Sequence, residues 1–372
     1  MGSAASAGER RKNVPTGNRN GSHAALQDGT LLVSVVIPAY NSARYIAATL
    51  DSVFAQSVLG YEVLVVNDGS PETDSLESAL EPYQSKIRYF KQENRGPSAA
   101  RNLAIQAARG KYVAFLDSDD LWMPLHLQKQ VEFLEEHPQY GLAYANGVVL
   151  RGDAPVGILF ETTPQSSPTD FDGLLHERST VITSSAVVSR QALLRVGLFD
   201  EHLRRCEDYD LWLRLSHAGF GLSFTRELQI CHRLGNGLAS SNELMKRALI
   251  QVYEKHLALG TLNASQAHFV RKKIDKLVAA IEYRRAKQAL LGGEFLEALE
   301  GMEKAETSMP SLKLKFARIG LRFFPRMFQY IYRFHVQRVE RQYRARGARS
   351  LRDAGFEGLA TAERVERTQL SR

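Results

Sequence analysis

The sequence predicts an α/β fold: an open, mostly parallel sheet with helices on both faces, followed by a helical C-terminal extension. Three observations predict it. Apolar runs such as VSVVI (33–37) and VLVV (63–66) have the unbroken character of strands buried on both faces. Segments of helical spacing separate them, and crossover helices impose parallel neighbours. From Glu243 the reading turns helical, up to a flexible tail at 351–372.

In order, LLVSVVIPAY reads as a strand, SARYIAATLDSVFAQ as a helix, YEVLVVNDGS as a strand and TDSLESALEPY as a helix. KIRYFKQEN is then a strand, PSAARNLAIQAARG a helix and KYVAFLDSDD a strand. Next come a helix (HLQKQVEFLEEH), a strand (GLAYANGVVL), a polar loop from Arg151 to about Asp172 with several Gly and Pro, and a strand (VITSSAVVS). RQALLRVGLFDEHLRRCEDYDLWLRLSHAG reads as helix, turn, helix. This α/β domain spans 30–241. Residues 1–29, rich in Gly, Ser, Ala, Asn and charge without apolar periodicity, are expected to be a disordered tail. A helical extension covers 242–310, a basic amphipathic segment 311–350 and a flexible tail 351–372. Within the extension, AKQALLGGEFLEALEGMEKA has the shape of one tetratricopeptide-like hairpin; a single unit cannot bury its own face, so it reads as an extension rather than an array.

Composition narrows the function. The 372 residues carry 48 Lys and Arg against 41 Asp and Glu, a net charge of +7. Between Ser311 and Ser350, eleven basic residues face one acid, Glu340, so the rest of the chain carries −3. A nucleic-acid-binding core is thereby excluded, and the basic segment needs its own explanation. Two cysteines, Cys206 and Cys231, lie in no disulfide framework or zinc spacing. With no bilayer-length apolar run and no signal-peptide core, a cytoplasmic location is expected.

In an open α/β sheet, ligands sit at the carboxyl ends of the strands. Here those ends read Pro38-Ala39-Tyr40-Asn41, Asn67-Asp68-Gly69-Ser70 and Asp117-Ser118-Asp119-Asp120. Carboxylates crowded as in FLDSDD repel one another unless a cation neutralises them, and hard oxygen ligands suit Mg²⁺ or Mn²⁺ on a diphosphate; an acidic turn capping a helix is the plainer reading. Asp68 reads as an Asx-turn residue or as an acceptor from a base or ribose. Tyr40 and Asn41 either turn the chain or line a nucleoside pocket. Neither GxGxxG nor GxxxxGK[ST] occurs, so dinucleotide and P-loop sites have no support.

The order PAYN, VVNDGS, NRGPSAARN, FLDSDD and FDEHLRRCEDYDLWLRL resembles the family-2 glycosyltransferases of the GT-A fold, over about Val33 to Ser241. The resemblance implies an inverting transferase that moves a sugar from a nucleotide-sugar donor, a UDP-sugar foremost, to a hydroxyl of a glycan or lipid-linked acceptor. It places Pro38, Tyr40, Asn41 and Asp68 on the base and ribose. It maps the NRGxxxARN segment onto Asn94, Arg95, Gly96, Ala100, Arg101 and Asn102, with Arg101 facing the donor; an exposed helix arginine is the plainer reading. Asp117 falls near the ribose or metal, Asp119 on the metal, and Asp120 in support. Glu207 and Asp208 match the family's ED pair, with Asp208 as general base: an alcohol is a poor nucleophile near pH 7 and needs a carboxylate to take its proton. As first-turn acids both also suit a helix dipole.

The segment after that helix departs from the family pattern. It reads Cys231-His232-Arg233-Leu234-Gly235, so the family's histidine is either shifted to His232, as a metal ligand, or absent. Thr183 and Ser184 are placed on the acceptor side. Trp122 reads as packing or as a sugar-stacking surface there. Alternatives are nucleotidyl transfer, against which the lack of a basic Gly-rich loop after the first strand argues, and a non-catalytic sugar-nucleotide-binding or membrane scaffold protein.

In the basic segment, Leu312, Phe316, Ile319 and Phe323 recur at helical spacing beside Lys315, Arg318, Arg322 and Arg326, with a kink expected at Pro325. It reads two ways: as peripheral attachment to an anionic membrane on its inner face, or as a helix packed on the catalytic domain with a solvated basic face. Oligomeric state is not legible.

Overall fold

A computed structural model describes residues 31–336 and 338, apart from 59, 164, 168 and 235–241. The tails expected over 1–29 and 351–372 lie outside the described residues. The chain divides into two compact units, Met1–Gly237 and Leu238–Arg372.

In the first unit β1 (Val33–Ala39), α1 (Ile46–Phe54), β2 (Tyr61–Asp68), α2 (Thr73–Leu80), β3 (Arg88–Gln92), α3 (Pro97–Ala107) and β4 (Tyr112–Phe115) follow the alternation read from the sequence. After them come β5 (Leu121–Trp122), α4 (His126–Glu136), β6 (Tyr140–Arg151), β7 (Ala154–Ile158), α5 (Leu159–Thr162), α6 (Phe171–Leu175), β8 (Val187–Ser189), α7 (Arg190–Val196), α8 (Glu207–His217) and β9 (Gly221–Arg233). They form one sheet in the order β3-β2-β1-β4-β8-β6-β9-β5, with β7 on β6. The first four strands are mutually parallel, β8 runs antiparallel to β4 and β6, and β9 runs parallel to β6.

Strand alternation builds a core on each face. Val33, Val35, Ile37 and Ala39 of β1 meet Ile46, Leu50 and Val53 of α1, Leu76 and Leu80 of α2, and Leu127, Val131 and Leu134 of α4. Those helical positions repeat at i, i+4 and i+7, which keeps them on one stripe. On the other face α3 packs on β1 and β2. There Phe115 meets Phe199 and Trp212, at ring-centroid distances of 5.3 and 6.2 Å.

Three local readings change. The polar loop 151–172 contains β7, α5 and the start of α6; β7 is a short edge strand whose first three residues are exposed, so no apolar alternation betrays it. In VITSSAVVS only Val187–Ser189 is strand, because Thr183–Ser185 forms a 3₁₀ turn in which the Ser185 hydroxyl donates to the Ile182 carbonyl (2.8 Å), a local bond that competes with the ladder. The 13-residue β9 is unannounced in the sequence: Arg226 and Glu227 interrupt its pattern, and its pairing with β6 shifts register around Asn146.

His126 is fully buried, its ring tilted against Trp122 (4.7 Å between ring centroids), with Nδ1 3.3 Å from Gln229 Oε1. Burial drags its imidazole down to about 3. A histidine kept neutral in the fold stabilises above its unfolded value of 6.5, and that stability is lost as pH falls from 6.5 towards 3. His126→Gln is therefore expected to flatten the acid limb of stability, by up to about 1.4 kcal/mol per pH unit below 6.5, in urea titrations at stepped pH. An unchanged limb would refute this.

The second unit contains α9 (Asn242–Ala258), α10 (Ala264–Gly292), α11 (Phe295–Ser308) and α12 (Leu312–Phe323). Asn263 and Gln266 form a capping box that starts α10, and Gly293, at φ +91°, ends it in the left-handed conformation that favours glycine. The α10–α11 hairpin buries Ala279, Ala286, Ala289, Leu290, Ala298, Met302 and Ala305, and Leu314 and Leu321 of α12 join the same cluster. A third helix thus supplies the cover that further repeats would give. Pro325 does not kink one helix: α12 stops at Phe323, and Pro325 opens the next helical stretch, 325–336, where its missing N–H costs nothing.

Candidate active site

Three loops at the carboxyl ends of the parallel strands carry the polar residues. After β1, Tyr40 is half exposed and Asn41 adopts a left-handed φ of 54°, its N–H donating to Ser70 Oγ (3.2 Å). Pro38 lies beside Val66 of β2. After β2, Asn67 Oδ1 accepts from the Ser70 N–H (2.8 Å), closing the NDGS turn. Gly69 is required twice there: its φ is +65°, and a Cβ would stand 2.6 Å from the Asn94 nitrogen.

Asp68 is 3% exposed and satisfied by three donors: Gln92 Nε2 (2.7 Å) and the Arg95 N–H (2.9 Å) on Oδ1, and the Gly96 N–H (2.8 Å) on Oδ2. It ties the β2 turn to the start of α3. Gly96, at φ +92°, and Pro97 open that helix. Within it, Asn102 holds the 199–201 segment, accepting from the Phe199 N–H (3.0 Å) and donating to the Phe199 carbonyl (2.9 Å).

The acidic turn after β4 is held from below by Thr49, whose hydroxyl lies 2.9 Å from the carbonyls of both Ser118 and Asp120. Asp120 is wholly buried and accepts from the Arg233 N–H (2.7 Å) and from His232 Nδ1 (3.0 Å). Burial opposes the charge on His232, but its bond to Asp120 and the three aspartates outweigh burial and push the imidazole up to about 9. Asp120 thus engages His232 at Nδ1, which leaves Nε2 as the nitrogen that could ligate a cation once the imidazolium gives up its proton there. Asp119 is half-buried, and burial first, then Asp120 and Asp117, push its carboxyl up to about 6. Clustered oxygen donors in that state fit a hard divalent cation. Among the described residues no group of three His, Cys, Asp or Glu is arranged to hold a metal alone. A cation here would take one or two carboxylates and complete its shell elsewhere.

Arg101 joins this turn to α8. The sequence allowed an exposed helix arginine; instead it is 5% exposed, with Nη2 2.7 Å from Asp117 Oδ1, Nη1 2.7 Å from Glu207 Oε1, and its guanidinium over the Phe199 ring. Burial works against its charge, but Asp117 and Glu207 hold it protonated beyond the ordinary range. Burial also raises the Glu207 carboxyl, against the pull of Arg101. Asp208, next in the chain and less buried, accepts from Thr183 Oγ1 on Oδ2 (2.7 Å) and from the Tyr209 N–H on Oδ1 (2.7 Å). All three acids of this first turn, Glu207, Asp208 and Asp210, suit the positive end of the helix dipole.

Two acceptor-side expectations meet a different environment. Ser184 is fully buried: its hydroxyl accepts from the Asp117 N–H (3.1 Å) and its carbonyl from the Trp122 indole N–H (2.7 Å). Trp122 is 4% exposed and belongs to the core, so its ring offers no face for a sugar to stack on. Thr49, which shapes the acidic turn, was not singled out in the sequence; its only local signal is a hydroxyl on the apolar stripe of α1.

Residues 34–197 match the family model for glycosyl transferase family 2. A glycosyltransferase of Bacillus subtilis named for teichuronic acid biosynthesis, TuaG, is 34% identical over 217 residues, covering 57% of this chain and 82% of that one. The UDP-Glc:alpha-D-GlcNAc-diphosphoundecaprenol beta-1,3-glucosyltransferase WfaP of Escherichia coli is 28% identical over 214 residues, 57% of this chain and 81% of that one. An uncharacterised glycosyltransferase of Rickettsia bellii is 34% identical over 192 residues, half of this chain, but the match spans only 27% of that longer protein. Among solved structures, S. aureus TarS 1-349 in complex with UDP superposes with a TM-score of 0.51 at 20% identity, covering 84% of this chain and 91% of that one. The mannosyltransferase PcManGT of Pyrobaculum calidifontis, solved with GDP-Man and Mn²⁺, gives 0.51 at 19% identity, covering 82% and 84%. The acids at the strand ends and at the start of α8 stand on a sheet shared with these structures, and with a relative 34% identical across most of its length the chain belongs to glycosyl transferase family 2.

Proposed function

We propose that this protein transfers a hexose from a UDP-sugar to a hydroxyl of a glycan or lipid-linked acceptor, with inversion at the anomeric carbon. One observation carries the reading: Arg101 bonds both Asp117 of the acidic turn and Glu207 of α8, so acids 90 residues apart in sequence share one guanidinium. Asp208, beside Glu207, takes the acceptor hydroxyl proton as oxygen bonds to C1, the C1–O bond to the diphosphate breaks, and UDP leaves with the electron pair. Tyr40, Asn41 and Pro38 form the nucleoside end, and Asp68 shapes it by holding the NDGS turn on the start of α3. Thr183 orients Asp208, and Glu207 holds Arg101 in place.

Asp119 and Asp117 would hold Mg²⁺ or Mn²⁺ on the donor diphosphate, and when bound such an ion neutralises charge on the departing nucleotide. The UDP-Glc named for WfaP and the UDP bound in the TarS complex support uridine, and PcManGT's Mn²⁺ supports the metal. Catalysis is assigned to residues 30–241, in the cytoplasm. A thermal-shift screen of UDP-sugars tests the reading: UDP-glucose or UDP-GlcNAc with Mn²⁺ should raise the melting temperature, and Asp119→Asn should abolish the Mn²⁺-dependent part. No shift with any nucleotide-sugar would defeat it in favour of a scaffold.

A further inference from the structure

We propose that residues 312–334 form a peripheral docking face for an anionic phospholipid surface. The helices here have two apolar faces, and only one is used. Inward, Leu314 and Leu321 are buried against α11, and Ala317, Phe328 and Tyr332 pack on the same cluster. The 325–336 stretch folds back so closely that a Cβ on Gly320 would stand 2.8 Å from the Phe328 ring. Arg333 Nη2 (2.7 Å) and Gln329 Nε2 (3.3 Å) fasten it to the Leu291 carbonyl. That face is complete.

The second face is open. Leu312, Phe316, Ile319 and Phe323, spaced i, i+4, i+7, i+11, are 51–73% exposed. On the next helical stretch a second set, Phe324, Met327, Tyr330, Ile331 and Phe334, is 53–73% exposed. Exposed apolar stripes of this kind mark an interaction site. Charge selects the occupant. Between 312 and 334 stand Lys313, Lys315, Arg318, Arg322, Arg326 and Arg333, with no Asp or Glu. Arg318 is engaged by Glu303 and Glu306, while the other five are exposed. A second copy of the same face would oppose cation to cation. An occupant that offers hydrocarbon beneath a negative surface satisfies both features, as anionic lipid headgroups over acyl chains do. Among the described residues no helix is long and apolar enough to cross a membrane, so the segment lies on the surface. The inward face of the segment is thus taken by the α10–α11 hairpin, and the membrane reading of the sequence applies to the open face. Attachment does not depend on the sugar-transfer reading; it adds where a lipid-linked acceptor would be met.

The test is vesicle flotation of the full chain, with UDP-glucose thermal shift on the same preparations as a separate readout of the donor site. Vesicles of phosphatidylcholine with about 30% phosphatidylglycerol should bind about tenfold or more tightly than phosphatidylcholine alone, and the preference should vanish near ~1 M salt. Phe316→Ser/Phe323→Ser/Tyr330→Ser should lose about tenfold or more of that binding, with donor response and helicity unchanged. Lys315→Gln/Arg322→Gln/Arg326→Gln should erase the preference for anionic vesicles. Equal binding to neutral and anionic vesicles, or no binding at all, overturns the proposal. So does light scattering that shows a wild-type dimer made monomeric by the Ser triple variant without vesicle binding, which would assign the face to a second copy.

Discussion

Asp208→Asn is expected to lower kcat by about 10²–10⁴-fold, the contribution typical of a positioned general base, with nucleotide-sugar affinity nearly unchanged. The substitution is nearly isosteric and leaves local structure in place: the amide oxygen can still accept from the Tyr209 N–H, as Asp208 Oδ1 does at 2.7 Å. What it removes is the second anionic oxygen, to which Thr183 donates at 2.7 Å and on which the acceptor proton would land. Steady-state kinetics with a UDP-sugar, paired with calorimetric UDP binding, separates the two effects. A variant with wild-type turnover would remove Asp208 from the reaction. One that loses UDP binding in proportion to rate would move it to the donor pocket.

Arg101→Met should cost the first unit about 3–5 kcal/mol, because it leaves two carboxylates facing each other without their cation, one of them deeply buried. Arg101 serves Asp117 and Glu207 at 2.7 Å each, and burial already raises the Glu207 carboxyl. Arg101→Lys should recover only part of the loss, since a single ammonium cannot present the two-pronged geometry of a guanidinium. Adding Glu207→Gln to Arg101→Met should return stability through a non-additive coupling of 0.5–3 kcal/mol, roughly the range for residues in contact. Urea denaturation followed by tryptophan fluorescence isolates the unit. The chain has two tryptophans, Trp122 and Trp212, and both are buried within 1–237. A cost for Arg101→Met below about 1 kcal/mol would show that the network contributes nothing beyond an ordinary surface pair.

These two experiments probe a site that the sequence outlined only in pieces. The strand ends were legible because turn and acidic residues close apolar runs there: Asp68 ends β2, and Asp117, Asp119 and Asp120 follow β4. Arg101 was legible as a position but not as an environment. Its partners lie 16 and 106 residues away, and a lone arginine amid the small residues of α3 gives no sign of being buried. His232 reaches Asp120 across 112 residues because β9 runs beside β5, in a register that sets Cys231 against Leu121; a strand broken by Arg226 and Glu227 did not announce itself. Trp122 had two readings, and the neighbouring Ser184 carbonyl, which takes its indole N–H, decided between them.

Taken alone, the sequence determined the alternation of strands and helices and the strand ends where polar groups gather. It also determined the segregation of positive charge into the C-terminal segment. These are written in contacts two to four residues apart and in local composition. The tertiary structure decided which acids share a cation, which aromatic rings are sealed in the core, and which of two apolar faces on the basic helices remains open. Those outcomes depend on the order of strands in the sheet and on which helix covers which, and they join residues that no local pattern connects.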